Sequence, residues 1–281
     1  MNKWVLGARP RTLPAAVAPV LVATALAHPH WNFARASIAL FVSLALQVGV
    51  NYANDYSDGV KGTDADRIGP VRLTASGLAS PQSVKSAAFI AFGSASIAGL
   101  ILALQTSWWL IAVGAFAIIA AWGYTGGKNP YGYRGLGEIS VFLFFGVIAT
   151  VGSFYVQTEE VTLQSLTASI PVGALACALL AVNNLRDRAK DEVVGKRTLA
   201  VRLGDKRARI FFILLLFSAH LFALATLRPW SLLTLLALPI TINLAKLIRS
   251  GVQGAALIPV LATTGKLQLI FAALFSLALS L

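Results

Sequence analysis

The chain has 281 residues, 57% of them hydrophobic and 12% charged, with a mean hydropathy of +0.74. A soluble globular domain carries roughly 25% charged residues, so about half the usual solvating charge is missing and a soluble fold is excluded. The formal charge of +12 would point to nucleic acid in a soluble chain, but the basic residues sit in short loops between long apolar runs, which reads as membrane orientation and anion binding with no nucleic-acid partner.

A helix crossing the hydrocarbon core needs about 20 mainly apolar residues and must pair its backbone polar groups internally. In chain order this requirement predicts nine spans: Thr12 to Ala27, Ile38 to Tyr56, Val84 to Leu104, Trp108 to Tyr124, Glu138 to Gln157, Leu166 to Leu185, Ile210 to Leu227, Trp230 to Leu247 and Gly265 to Leu281. The first is read as a membrane segment rather than a cleaved leader. The last is the least sharply bounded, because the apolar stretch before it contains a further partial helix over Gly254 to Thr264. The expected fold is an all-α integral membrane protein, one polytopic domain over residues 1–281 with nine transmembrane helices. With the N-terminus inside and the C-terminus outside, all of the 23 basic residues except Arg35 and Arg228 fall on or beside the inner segments, as the positive-inside rule requires. Trp31, Trp108, Trp109 and Trp230 then cluster at the outer boundary.

Eight of the eleven acidic residues lie in two inner loops: Asp55, Asp58, Asp64 and Asp66 after span two, and Asp187, Asp191, Glu192 and Asp205 after span six. Continued helically, span two places Asn51, Asp55 and Asp58 on one face with Asn54 beside them. Span six does the same with Asn183, Asp187 and Asp191. Like charges one turn apart destabilise a helix, and ionisable groups near hydrocarbon are costly unless paired, so a cation is expected between the two stripes. Oxygen ligands suit Mg²⁺, which combines one or two carboxylates with phosphate oxygens. The surrounding bases, among them Lys61, Arg72, Arg186, Lys190 and Lys196, suit a diphosphate. A single acidic loop would read as a solvated connector; two, each following an Asn-bearing helix end on one side, read as a site.

The stretches NYANDYSDGVKGTDADRIGPVRLTASG (residues 51–77) and NNLRDRAKDEVVGKRTLAVRLGD (residues 183–205) resemble the UbiA superfamily of intramembrane aromatic prenyltransferases, most closely its menaquinone branch. The resemblance spans nearly the whole chain and implies nine helices with Asp motifs after the second and sixth. Asn54, Asp55 and Asp58 fit the first motif, Gly62 stands where it has a third acid, and Asp64 takes over as a ligand. Asp187 and Asp191 fit the second. What the resemblance implies is Mg²⁺ held by Asp55, Asp58, Asp64, Asp187 and Asp191, with Asp55, Asp58, Asp187 and Asp191 catalytic and Asn51, Asn54 and Asn183 in the substrate site. Arg72, Lys128 and Lys196 are the expected diphosphate contacts. The donor is a polyprenyl diphosphate with its tail toward lipid, the acceptor 1,4-dihydroxy-2-naphthoate, losing its carboxylate as carbon dioxide. The setting is a bacterial inner membrane with the site on the cytoplasmic side.

The loop YTGGKNPYGYRGLGE (residues 124–138) supplies Tyr124, Lys128, Tyr131, Tyr133, Arg134 and Glu138 to shield a cation, bind the acceptor carboxylate or polarise its hydroxyl. A Gly/Pro-rich turn with interfacial tyrosines is the alternative. The single cysteine, Cys177, excludes an internal disulfide and a cysteine zinc cluster. His28, His30 and His220 have no ligand spacing. Other acceptors such as 4-hydroxybenzoate or homogentisate, a secondary transporter, and a non-enzymatic carrier of lipid diphosphates remain open, although a transporter would place its acids nearer the bilayer midplane.

Overall fold

The computed structural model describes residues 2–63, 69 and 71–281, and among these the regular structure is helical with no strand. Asp64, expected as a metal ligand, lies outside the described residues, as do Asp66 and Arg67. The helices are α1 (Lys3–Ala8), α2 (Pro14–Leu26), α3 (Phe33–Val60), α4 (Pro81–Gln105), α5 (Trp109–Gly123), α6 (Gly137–Thr158), α7 (Leu163–Val193), α8 (Leu199–Leu224), α9 (Pro229–Arg249) and α10 (Leu257–Ser280). Seven segments are long and apolar enough to cross a membrane: α3, α4, α6, α7, α8, α9 and Gly254–Ser280, which contains α10. The apolar helices α2 and α5 are shorter.

Local chemistry fixes several helix starts. Asn32 accepts the backbone N–H of Arg35 at the head of α3, Ser80 caps α4 ahead of Pro81, and Thr162 and Ser165 form a reciprocal capping box on α7. The last helix begins at Leu257, well before the expected Gly265, and Lys266 does not interrupt it because its side chain points outward and is exposed. The 28 residues of α3 and 31 of α7 rise about 42 and 46 Å at ~1.5 Å per residue, against a hydrocarbon core near 30 Å. Both helices therefore carry their acidic motifs past the apolar layer without a break.

Hydrogen bonds tie alternate helix ends together. At one end Arg35 reaches Glu159 at 2.9 Å and the carbonyl of Gln105 at 2.8 Å. At the opposite end Lys61 donates to the carbonyl of Thr125 at 2.6 Å, the backbone N–H of Arg197 to Tyr133 at 2.8 Å, and Arg209 to the carbonyl of Ile248 at 2.8 Å. The two acidic motifs share this second end.

Helix α7 is the most buried of the long helices, and its inner face is built of small residues, including Ala174, Ala178 and Ala181. Against it, α6 opens into a π-helical stretch over Phe142–Ile148. There Gly146 meets Gly173 so closely that a Cβ on Gly146 would stand 2.6 Å from the Gly173 Cα, the close backbone approach that small residues allow within a bilayer. Facing outward, Ile90, Ile97, Ile119, Leu214, Leu221 and Leu236 are exposed, an apolar girdle suited to lipid. Gly146→Ala is expected to lower stability by about 1–3 kcal/mol through overpacking, seen as a lower unfolding midpoint in detergent. Gly93→Ala, where nothing lies within 4 Å of the new Cβ, leaves the midpoint unchanged or raises it.

Candidate functional site

A cavity of about 820 Å³ opens between α3, α5, α6 and α7. Its polar end is walled by residues that include Asn54, Asp58, Arg72, Asp187, Asp191 and Lys196, and the rest is mainly apolar, with Val42, Leu46, Val113, Phe144, Ile148 and Val156. The part of α3 that borders it, from Ala39 to Asp58, rises about 28 Å at ~1.5 Å per residue. The cavity is thus a long apolar slot with a charged head.

Asp58, 4% exposed, is the hub of that head. One of its oxygens takes the Tyr133 hydroxyl and faces the Lys196 ammonium at 3.2 Å, while the other faces Arg72 at 3.7 Å. The Tyr133 ring lies under two ammonium groups, Lys196 at 4.6 Å and Lys61 at 5.0 Å. Partial burial holds the Lys61 ammonium below the usual lysine range, with Lys196 adding to the effect and Asp58 opposing it. On α7, Arg186 grips Asp187 through both oxygens at 2.6 and 2.7 Å and donates to the Asn183 side chain at 2.9 Å. Lys190 Nζ, also in the wall, is buried with no hydrogen-bond partner among the described residues. An uncompensated buried ammonium is costly, and an anion in the cavity would satisfy it.

Asp55 behaves differently. It is fully buried, and its two oxygens accept the backbone N–H groups of Leu73 at 2.8 Å and Thr74 at 2.9 Å. This clamp holds the turn that brings Arg72 to Asp58. Gly59 makes it possible, since a Cβ there would stand 2.5 Å from the Thr74 side chain. Asn51 is likewise spent on the chain, donating to the Ala8 carbonyl at 2.9 Å and Thr12 at 3.0 Å, while Asn54 accepts from Thr125 at 2.7 Å.

From the 124–138 loop, Tyr131 and Tyr133 reach the cavity wall. Tyr131 bonds the Ala120 carbonyl at 2.8 Å and Ser140 at 2.9 Å, and burial pushes its phenol up, so it stays neutral. Lys128 and Arg134 are exposed and do not line the cavity. The loop runs outward at both. Two wall residues escape sequence reasoning, Arg9 and Arg11, which read as orienting charges. They arrive because α1 folds back over α3, where Tyr52 donates to the Trp4 carbonyl at 2.7 Å. No local periodicity signals that. Asn184 is a third, hidden beside Asn183.

For a divalent cation, the described residues of the wall offer oxygen donors, the carboxylates of Asp58, Asp187 and Asp191 and the side-chain carbonyls of Asn54 and Asn183, the donor chemistry that Mg²⁺ prefers. No three acids among the described residues stand close enough to form a ready-made metal cluster; Asp58 and Asp187 are held by cations of the protein instead. Such a donor set fits a metal that arrives with its own phosphate ligands.

A helical membrane bundle with a charged, oxygen-rich head on an apolar slot defines a protein that handles a lipid with an anionic headgroup. The chain belongs to the UbiA prenyltransferase family, whose model matches residues 16–256. It is 50% identical over 276 residues to the 1,4-dihydroxy-2-naphthoate octaprenyltransferase of Mycobacterium tuberculosis, covering 96% of this chain and 94% of that one. To the enzyme of the same description from Escherichia coli it is 38% identical over 294 residues, covering 99% and 95%. In fold it is similar to a UbiA homolog from Archaeoglobus fulgidus solved bound to GPP and Mg²⁺, with a TM-score of 0.73, 15% identity and complete coverage of both chains.

Asp55→Asn removes one of two backbone acceptors and is expected to cost about 1–3 kcal/mol, lowering the unfolding midpoint in detergent.

Proposed function

We propose that the chain transfers a polyprenyl group from a polyprenyl diphosphate to 1,4-dihydroxy-2-naphthoate, the prenylation step of menaquinone synthesis. The observation that carries this reading is the cavity itself, where two acidic motifs far apart in sequence meet lysines and arginines at the head of an apolar slot. The choice of acceptor rests on the relatives, 50% and 38% identical over nearly their whole length. The fold is read as a single domain of nine crossings, with α2 and α5 completing the seven longer spans. The charge asymmetry supports an inside N-terminus and a cytoplasmic site in a bacterial inner membrane.

Asp58, Asp187 and Asp191, with Asn54, Asn183 and Asp64, are the residues that would hold Mg²⁺. Bound there with the diphosphate, Mg²⁺ supplies charge neutralisation for the leaving group. Lys196, Arg72 and Arg186 then turn from the carboxylates to the phosphate oxygens, exchanging one partner for another, and the Lys190 ammonium gains one. As the allylic C–O bond breaks, its electron pair leaves with diphosphate. A ring carbon of the acceptor donates its pair to the allylic carbon, and the ring is restored when the carboxylate departs as carbon dioxide. Tyr131 and Tyr133 present π-faces that favour the developing cation by about 0.5–2 kcal/mol each, and the apolar slot keeps water from it. Asp55 acts from behind by fixing the Arg72 turn.

Protein in detergent given a polyprenyl diphosphate, Mg²⁺ and dihydroxynaphthoate is expected to yield a decarboxylated prenyl product by mass spectrometry, and none after chelation. Asp58→Asn, Asp187→Asn and Asp191→Asn each lower turnover at least about tenfold, a loss of ~1.4 kcal/mol in transition-state stabilisation. Near-normal turnover in both Asp187→Asn and Asp191→Asn, or vectorial uptake without product, would overturn the reading.

A further inference from the structure

Glu138 is buried in the first turn of α6 at 6% exposure and does not line the cavity. No cation pairs with it among the described residues, and its Oε2 has no hydrogen-bond partner. Its Oε1 accepts from Nδ2 of Asn184 at 3.0 Å, and the thiol of Cys177 donates to its backbone carbonyl at 3.1 Å, pinning this turn to α7. Such a group is expensive in a membrane helix, which calls for a function.

The bond to Asn184 supplies one. An amide side chain has a donor face and an acceptor face. Oε1 accepts whether Glu138 is ionised or carries a proton on Oε2, so Asn184 must turn its NH₂ toward it. The amide oxygen then points away, and Asn184 is part of the cavity wall. It lies three residues before Asp187 on α7, about 4.5 Å nearer the bilayer centre at ~1.5 Å per residue. That is the level just beneath the charged head. The wall beside it is aromatic and polar, with Tyr124 and Tyr131 edge to face at 5.5 Å and Ser140 bonded to Tyr131. These side chains suit a flat hydroxylated ring at that level.

Building on the reading that the acceptor is a dihydroxyaromatic acid, we propose that Asn184 Oδ1 receives the hydrogen of an acceptor ring hydroxyl and that Glu138 is the positioning residue that fixes the amide in that orientation. Accepting this hydrogen draws electron density toward the ring oxygen and so to the ring carbon that attacks. It also sets the ring's rotation about the site. An acceptor without a free hydroxyl at that position gains nothing from Asn184.

The test uses full-length protein in detergent. Asn184→Leu is expected to lower kcat/KM for dihydroxynaphthoate about tenfold, the effect of one lost hydrogen bond, while KM for the polyprenyl diphosphate stays within twofold. A dimethoxy analogue of the acceptor, unable to donate, inhibits wild type and Asn184→Leu equally. Asn184→Asp sets two carboxyl groups against each other and also loses activity. Combined with Glu138→Gln it restores the pair with the roles exchanged, since the new amide on α6 donates and the new carboxylate on α7 keeps an oxygen toward the cavity. The double variant is expected within about threefold of wild type, a coupling that a purely structural role does not produce. Unchanged acceptor kinetics in Asn184→Leu, an equal rise in the diphosphate KM, or a double variant no better than Asn184→Asp overturns the assignment. If Asn184→Leu does not fold, the nearly isosteric double variant still decides. Wild type that fails to prenylate dihydroxynaphthoate at all instead overturns the acceptor reading.

Discussion

The arrangement depends on keeping opposite charges together, out of water, at the mouth of an apolar slot. Each buried ion costs several kcal/mol to desolvate, and only close partners offset that cost. Asp58 is held by Lys196 and Arg72, and Asp187 by two nitrogens of Arg186. These pairs stabilise the fold little in net terms; they keep every charged group within reach of the same small volume. The long unbroken helices α3 and α7, the Asp55 clamp and the Tyr133 hydroxyl all place those groups.

Such a head is poised for exchange. In the proposed reaction a diphosphate with its metal would offer anions to the lysines and arginines and a cation to the carboxylates, so binding would swap partners without leaving either sign uncovered. Lys190, whose buried ammonium has no hydrogen-bond partner among the described residues, would gain a partner and give up none. The fold that presents this chemistry is shared with a solved UbiA homolog at 15% identity, as expected when a bundle needs only apolar faces and small contact residues, while the acidic motifs answer to chemistry.

What the sequence revealed was governed by local rules. Span positions follow from apolar length, and each predicted span falls on a helix, because a bilayer forces backbone polar groups to pair within the segment. The shared face of Asn183, Asp187 and Asp191 follows from 3.6 residues per turn. Tertiary contacts were not legible. Asp55 and Asp58 look equivalent in a motif, yet one faces the backbone of residues 73–74 and the other the cavity, a difference set by Gly59 and the turn packed on it. Lys128 and Arg134 share a loop with Tyr131 and Tyr133 but point outward, which composition does not encode. Arg9 and Arg11 enter the wall only because α1 doubles back.

The π-helical stretch Phe142–Ile148 has a consequence for how this chain can vary. A π turn holds one residue more than an α turn, so the portion of α6 carrying Glu138 is rotated relative to the portion beyond Ala149 by about 100° from where an uninterrupted α-helix would put it. Losing a single amino acid from this stretch would relax it to ordinary winding and swing the acid away from Asn184 while preserving hydrophobicity and span length. Deletions here, invisible to any hydropathy profile, should be far less tolerated than substitutions among the same phenylalanines and aliphatic residues.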